Sequence, residues 1–194
     1  TEVLVLVLCS RNYLSFLSSK VQKKIWKEHL KDFQIIHFIG QKYRDQRELD
    51  YVGDKDSEYL VVDTNDDYYN IAKKTFLALD NINSNYEYDF VFRTNTSSYI
   101  NFKNLKEFVK KDFQSLDYSG SILEAVEGDT IASGAGIFLS KKNVELILQN
   151  SDYFDESLPD DVAISRVLKK FNIVPKDLNR INLKSVPSPK IVFN

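Results

Sequence analysis

"EVLVLVLCS", residues 2–10, decides the fold. A strand with one wet face alternates apolar and polar residues, whereas an unbroken apolar run of this length is buried on both faces. Sheets built from such strands carry helices on both sides. The following segments agree. "SFLSSKVQKKIWKEHLK" (15–31) has Phe16, Leu17, Val21, Ile25 and Leu30 at helical spacing, and "FQIIHFIG" (33–40) is a second buried strand closed by Gly40. Residues 41–57 are charged and read as a surface loop, and "EYLVVD" (58–63) is a third strand. A helix is expected from Asp66 to about Ile82, with Tyr68, Ile71, Ala72, Phe76 and Leu79 on one buried face.

The second half continues the alternation. "YDFVFR" (88–93) is a strand, 101–113 a helix and 118–126 a strand. "ASGAGIFLS" (132–140) reads as a glycine-broken turn running into another strand. Helices follow at 141–150 and 160–173, then a polar tail after Pro175. Strands alternating with helices predict an α/β fold, a single domain over 1–194 with a central, mostly parallel sheet flanked by helices. In such sheets ligands bind beyond the carboxyl ends of the strands. Those ends are Ser10-Arg11-Asn12, Gly40, Asp63-Thr64 and Arg93-Thr94-Asn95.

Composition narrows the function classes. The chain is 43% hydrophobic and 28% charged, ordinary for a soluble domain. A formal net charge of −2 speaks against general affinity for nucleic acid or an acidic membrane surface. Cys9 is the sole cysteine, so no intrachain disulfide forms, which fits a reducing compartment. No run approaches the roughly 18 apolar residues of a transmembrane span. A cytoplasmic protein is expected. His29 and His37 have no acidic or cysteine partner at ligand spacing and read as structural. Neither G-x-x-x-x-G-K-[ST] nor G-x-G-x-x-G occurs, which removes the commonest nucleotide-binding folds.

Several positions admit two readings from the residues alone. Asp160 and Asp161 follow Pro159 and open a helix. They suit capping and the helix dipole, and equally a general base held at a helix end. Ser133-Gly134-Ala135-Gly136 is either a tight turn or a place where backbone lies close against a ligand. Asp63, Asp66, Tyr68, Asn70 and Lys74 include structural candidates, with Asp63, at a strand end, the one most suited to contact a ligand. "VFRTNTSSYIN" (91–101) emerges at the working edge with Asn95, Thr96, Ser97 and Ser98 and no carboxylate.

Four segments together resemble the inverting β-1,3-glycosyltransferases, the galactosyltransferase and fringe-like group with the GT-A fold. "DTNDDYYNIAKKT" (63–75) resembles their D-F-x-D-x-Y-x-N-L-T-x-K-T pattern. "FVFRTNTSSYIN" falls where the family has a strand followed by three aspartates, "ASGAGIFLS" resembles its glycine-rich segment, and "LPDDVAISRVL" (158–168) its L-P-D-D and E-D-V motifs. The resemblance spans most of residues 2–173.

The resemblance implies transfer of a sugar from a nucleotide donor, UDP-linked, to a hydroxyl of a glycan or glycolipid, with inversion. Asp161, ahead of Asp160, is then the catalytic base. Ser10, Arg11, Asn12, Asp63, Arg93, Thr94, Asn95, Thr96 and Ser97 hold the nucleotide, and Ser133, Gly134, Ala135 and Gly136 meet sugar or acceptor. Three departures matter: the family's metal-binding acidic triplet is missing, its disulfides are impossible and no membrane anchor is expected. The last two point to a microbial or viral relative. No metal or other cofactor is expected, manganese or magnesium being the fallback. Arg93, Arg180, Lys184 or Lys190 is then the phosphate cation, unless Arg93 pairs with a nearby acid. An inactive GT-A protein that binds sugar or nucleotide is the alternative.

Overall fold

The computed structural model describes residues 2–41, 50–111, 116–125 and 128–178. Seven strands form one sheet: β1 (Val3–Leu8), β2 (Gln34–Gln41), β3 (Leu60–Asn65), β4 (Phe90–Asn95), β5 (Tyr118–Glu124), β6 (Thr130–Ser140) and β7 (Lys176–Asp177). Their order is β3-β2-β1-β4-β6-β5-β7. All pairings are parallel except those of β6, which runs antiparallel to both β4 and β5. The expected mostly parallel α/β sheet is what the chain builds.

β1 shows why an unbroken apolar run was needed. Leu4 and Leu6 join one core, under helices α2 (Ile71–Asn85), α4 (Lys141–Gln149) and α5 (Asp160–Lys170). Val3, Val5 and Val7 join the other, with Trp26 of α1 (Tyr13–Trp26) and Phe102, Leu105 and Val109 of α3 (Phe102–Lys111). Each fully buried aliphatic side chain contributes about 1.5–3 kcal/mol relative to exposure, so β1 anchors both layers. β1 lies between β2 and β4, where the strand order reverses direction, and a crevice opens at such a point beyond the strand ends.

Three expectations need correction. The 132–140 segment is not a turn leading into a strand; Thr130–Ser140 is one strand. Its pairing with β5 jumps from Gly120↔Ile137 to Ile122↔Ala132, so Ser133–Gly136 bulge away from β5 while Gly136 still pairs with Thr94 of β4. The second helix starts at Ile71 rather than Asp66, because Asp66 turns inward and cannot cap it. Tyr68 therefore precedes the helix and is exposed instead of buried.

α1 turns its polar side to the core. It buries Ser19, Gln22 and Trp26, and its apolar residues Leu17, Val21 and Ile25 face outward. Specific partners explain the inversion. Ser19 Oγ lies 2.7 Å from Tyr59 Oη, and the Trp26 ring meets Phe102 edge-on at 5.3 Å between centroids. Gln22 Nε2 donates to the carbonyls of Thr96 and Ser98, both at 3.0 Å.

Candidate functional site

A cleft of about 1060 Å³ opens beyond the carboxyl ends of β1 and β4. Its floor is Leu8, Cys9 and Ser10 from β1 and the turn after it, and Arg93, Asn95, Thr96 and Ser97 from β4 and its loop. One wall is Asn12, Leu14, Ser15 and Ser18 at the start of α1; a second is Asp66–Tyr69, Ile71 and Lys74. The opposite wall is Ser133, Gly134 and Ala135 of β6 with Ser157–Asp161 leading into α5.

On the β1–β3 side the carboxylate is held by three donors. Asp66 Oδ1 accepts from Gly40 N at 2.8 Å and Lys74 Nζ at 2.9 Å, while Oδ2 accepts from Arg11 N at 2.5 Å. One buried side chain thus ties β1, β2 and α2 together. Gly40 is required there: a Cβ would lie 2.7 Å from the carbonyl oxygen of Thr64. The Arg11 side chain leaves the cleft, donating to Gly40 O at 3.0 Å and pairing with Asp50 at 3.2 Å and Asp56 at 2.9 Å. Burial pushes the Asp50 carboxyl up, but the N–H groups of Gly53 and Val52 and the Arg11 charge outweigh it and hold it below its ordinary value.

On the β4–β6 side, Arg93 is buried with only 2% of its surface exposed. Its Nη2 lies 2.5 Å from Asp160 Oδ2, which also accepts from Thr75 Oγ1 at 2.7 Å. Its Nη1 donates to Asn95 Oδ1 at 2.8 Å and to the carbonyl of Gly134. The pairing of Arg93 with a nearby acid, one of the two sequence readings, is the one found. Asp161 is different. Its Oδ2 accepts from Gly134 N at 2.9 Å and its Oδ1 from Val162 N at 2.9 Å, and among the described residues it has no ion-pair partner. A Cβ at Gly134 would lie 3.0 Å from Arg93 Nη1 and 3.2 Å from Asp161 Oδ2, so only glycine lets this strand pass between them undisturbed.

The loop after β4 is held in part by Gln22, a residue the sequence reading missed. Gln22 pins it from α1, and His37 Nε2 lies 3.2 Å from Gln22 Oε1. Burial, with the nearby Lys23 charge, lowers His37 to about 3, so it is neutral near pH 7. Ser98 Oγ donates to Ala135 O at 3.0 Å and Thr94 Oγ1 to the same oxygen at 2.8 Å. The available signal was the polar set Ser15, Ser19 and Gln22 at helical spacing, opposite the apolar stripe of α1.

Of the candidate residues, Ser10, Asn12, Arg93, Asn95, Thr96, Ser97, Ser133, Gly134, Ala135, Asp160 and Asp161 meet at the cleft. Arg11, Asp63, Thr94 and Gly136 do not line it. Asp63 points outward from β3 and is exposed, since alternate residues of a strand face opposite ways. Arg180, Lys184 and Lys190 lie outside the described residues. Cys9 is buried, which pushes its thiol well above its ordinary value. Among the described residues no helix is long and apolar enough to cross a membrane.

Comparison with known proteins agrees with this architecture. The fold is similar to that of S. aureus TarS 1–349, with a TM-score of 0.50, 17% identity and coverage of 92% of this chain and 58% of that one. A Bacillus anthracis structure named "Putative Glucose-1-Phosphate Thymidylyltransferase", in complex with a sucrose, aligns at a TM-score of 0.44 and 12% identity over 92% of this chain and 87% of that one, too slight a likeness to bear on the fold. No curated protein matches in sequence. The family model described as Galactosyltransferase matches residues 18–131, well over half of the chain. That stretch runs from α1 through the cleft-forming ends of β1's neighbours to the first residues of β6, and the chain belongs to the galactosyltransferase family.

Proposed function

We propose that residues 1–194 act as one inverting glycosyltransferase domain. It moves a sugar from a nucleotide donor, UDP-linked, to a hydroxyl of a glycan or glycolipid. The observation that carries this reading is Asp161, a carboxylate on the cleft wall, oriented by two backbone N–H groups and without a cation partner among the described residues. An acceptor hydroxyl must lose a proton as it attacks the anomeric carbon, and a fixed carboxylate takes it. The bond to the departing diphosphate breaks on the opposite side of that carbon, giving inversion. Asp160 is not suited to this step, because Arg93 and Thr75 already occupy it.

Nucleotide binding falls to the floor of the cleft and its wall at α1. Ser10 and Asn12 lie at the start of α1, whose first turn has no acidic residue, and helix N-termini favour anionic groups. Asn95, Thr96 and Ser97 add neutral hydrogen-bonding groups. The family resemblance implies a divalent ion at these three positions, and the residues there do not fit one. They present neutral oxygens, Asn95 Oδ1 already accepts from Arg93, and Thr96 Oγ1 lies 3.3 Å from Ser15 Oγ. Among the described residues, no three His, Cys, Asp or Glu side chains come together as a ligand set. Transfer is therefore proposed to be metal-independent.

The leaving diphosphate still needs positive charge. Lys74 and Arg93 line the cleft but are paired with Asp66 and Asp160, so the proposal passes this role to Arg180, Lys184 or Lys190. The same pairing favours the second reading, a family member that binds donor without turning it over. A panel of UDP-sugars separates the two. Thermal shift identifies the donor that binds, since a ligand for the folded state raises Tm, and UDP release with and without chelator follows turnover. UDP release that survives chelator is expected. Release that vanishes with chelator and returns with manganese overturns the metal-free reading, and binding without release supports the inactive one.

A further inference from the structure

The solvent face of α1 is apolar. Leu14 is 73% exposed, Leu17 45%, Val21 51% and Ile25 46%, and Leu30, just after the helix, is 55% exposed. Their spacing of three, four and four residues puts Leu14, Leu17, Val21 and Ile25 on one stripe. The inward face, Ser19, Gln22 and Trp26, is already docked on the sheet and the β4 loop, so the stripe is not available for the protein's own core. Scattered exposed apolar residues are ordinary; a contiguous helical row is not.

Charge indicates what covers it. Lys20, Lys24 and Lys27 are exposed and flank the stripe on one side, and Glu28 is the only acid between residues 13 and 31. This local excess of positive charge stands out in a chain of formal net charge −2. An apolar stripe edged by lysines lies flat in the headgroup region of an anionic bilayer, side chains in the acyl boundary and ammonium groups on the phosphates. Leu14 belongs both to this stripe and to the lining of the cleft, so a surface that covers α1 also meets the mouth of the cleft.

We propose that the exposed face of α1 is a docking surface for anionic phospholipid membranes, which brings the mouth of the cleft to the lipid headgroups. The net charge of the chain argues the other way, and the local pattern outweighs it because surface attraction falls off within a Debye length. The inference goes beyond the transferase reading and holds or fails without it, since binding is measured with no sugar donor present.

The test is co-sedimentation of the full chain with vesicles of phosphatidylcholine alone and of phosphatidylcholine with 30% phosphatidylglycerol. Binding to the anionic vesicles is expected, weakening as salt rises. Combining Leu17→Ser, Val21→Ser and Ile25→Ser, none of which lines the cleft, is expected to lower it at least about tenfold. Combining Lys20→Glu, Lys24→Glu and Lys27→Glu is expected to abolish the preference for anionic lipid. Both variants should melt within about 2 °C of the parent, because these side chains are exposed. Parent protein that fails to sediment with anionic vesicles overturns the proposal, as does binding that the serine variant leaves unchanged. A serine variant that instead loses self-association or melts well below the parent assigns the stripe to a second copy or to residues 179–194, and equally overturns it.

Discussion

The two sides of the cleft use the same residue types to different ends. On the β1–β3 side, Asp66 is held by Lys74 and two backbone N–H groups. On the β4–β6 side two consecutive aspartates divide the work. Asp160 closes on Arg93 and Thr75, which leaves Asp161 bound only by N–H groups. The difference teaches that a carboxylate at a cleft is judged by what already holds it. Position at a strand or helix end is shared by all three; a missing cation partner among the described residues belongs to Asp161 alone.

The largest effect is expected where the side chain holds most. Asp66→Ala leaves the Lys74 ammonium buried without its partner and two backbone N–H groups unsatisfied. Losing one member of a buried pair costs about 3–5 kcal/mol, so urea unfolding should show at least that loss. A loss below about 1 kcal/mol would erase the contrast between the two sides.

Arg93→Met comes next, by stranding Asp160, and should also cost about 3–5 kcal/mol. Adding Asp160→Leu should recover much of that loss, because the uncompensated charge is gone. A double variant as unstable as the single one would mean that Arg93 matters through Asn95 and Gly134 rather than through Asp160.

A smaller effect separates the loop anchor from both carboxylate clusters. His37 is lowered to about 3 by burial, with Lys23 adding to it. The folded state thus stays neutral while the unfolded chain takes up a proton below about 6.5. Its contribution to stability is therefore whole above that pH and is lost as pH falls from there toward 3, by at most about 1.4 kcal/mol per unit. His37→Gln keeps a donor for Gln22 and removes the titration. Unfolding free energies at pH 7, 6 and 5 should fall less steeply in the variant; equal slopes would place the titration elsewhere.

Much of this was legible in the sequence. The apolar run of β1 and the alternation after it foretold the sheet, and of the strand ends at Ser10–Asn12, Gly40, Asp63–Thr64 and Arg93–Asn95 the first and last supply Ser10, Asn12, Arg93 and Asn95 to the cleft. Asp161 was identified as the base candidate from its motif. What sequence hid was side-chain commitment. Arg11 and Arg93 stand at strand ends like ligand-binding cations, but their partners Asp50, Asp56 and Asp160 lie 39 or more residues away in the chain, and only folding brings them together. The orientation of α1 was hidden for the same reason. Its apolar spacing says that one face differs from the other, whereas the hydrogen bonds of Ser19 and Gln22 decide which face turns inward.

The most direct test compares the two neighbours at the start of α5. Asp160→Asn and Asp161→Asn are made separately, and each is assayed for UDP release from the donor that binds and for Tm. Asp161→Asn is expected to lower turnover by about 10²–10⁴-fold while melting within about 2 °C of the parent. Asp160→Asn is expected to melt roughly 10 °C or more below it, because Arg93 loses its counter-charge. Near-normal turnover in Asp161→Asn, or a fall in its Tm as large as that of Asp160→Asn, would contradict the assignment of one aspartate to the fold and the other to the chemistry.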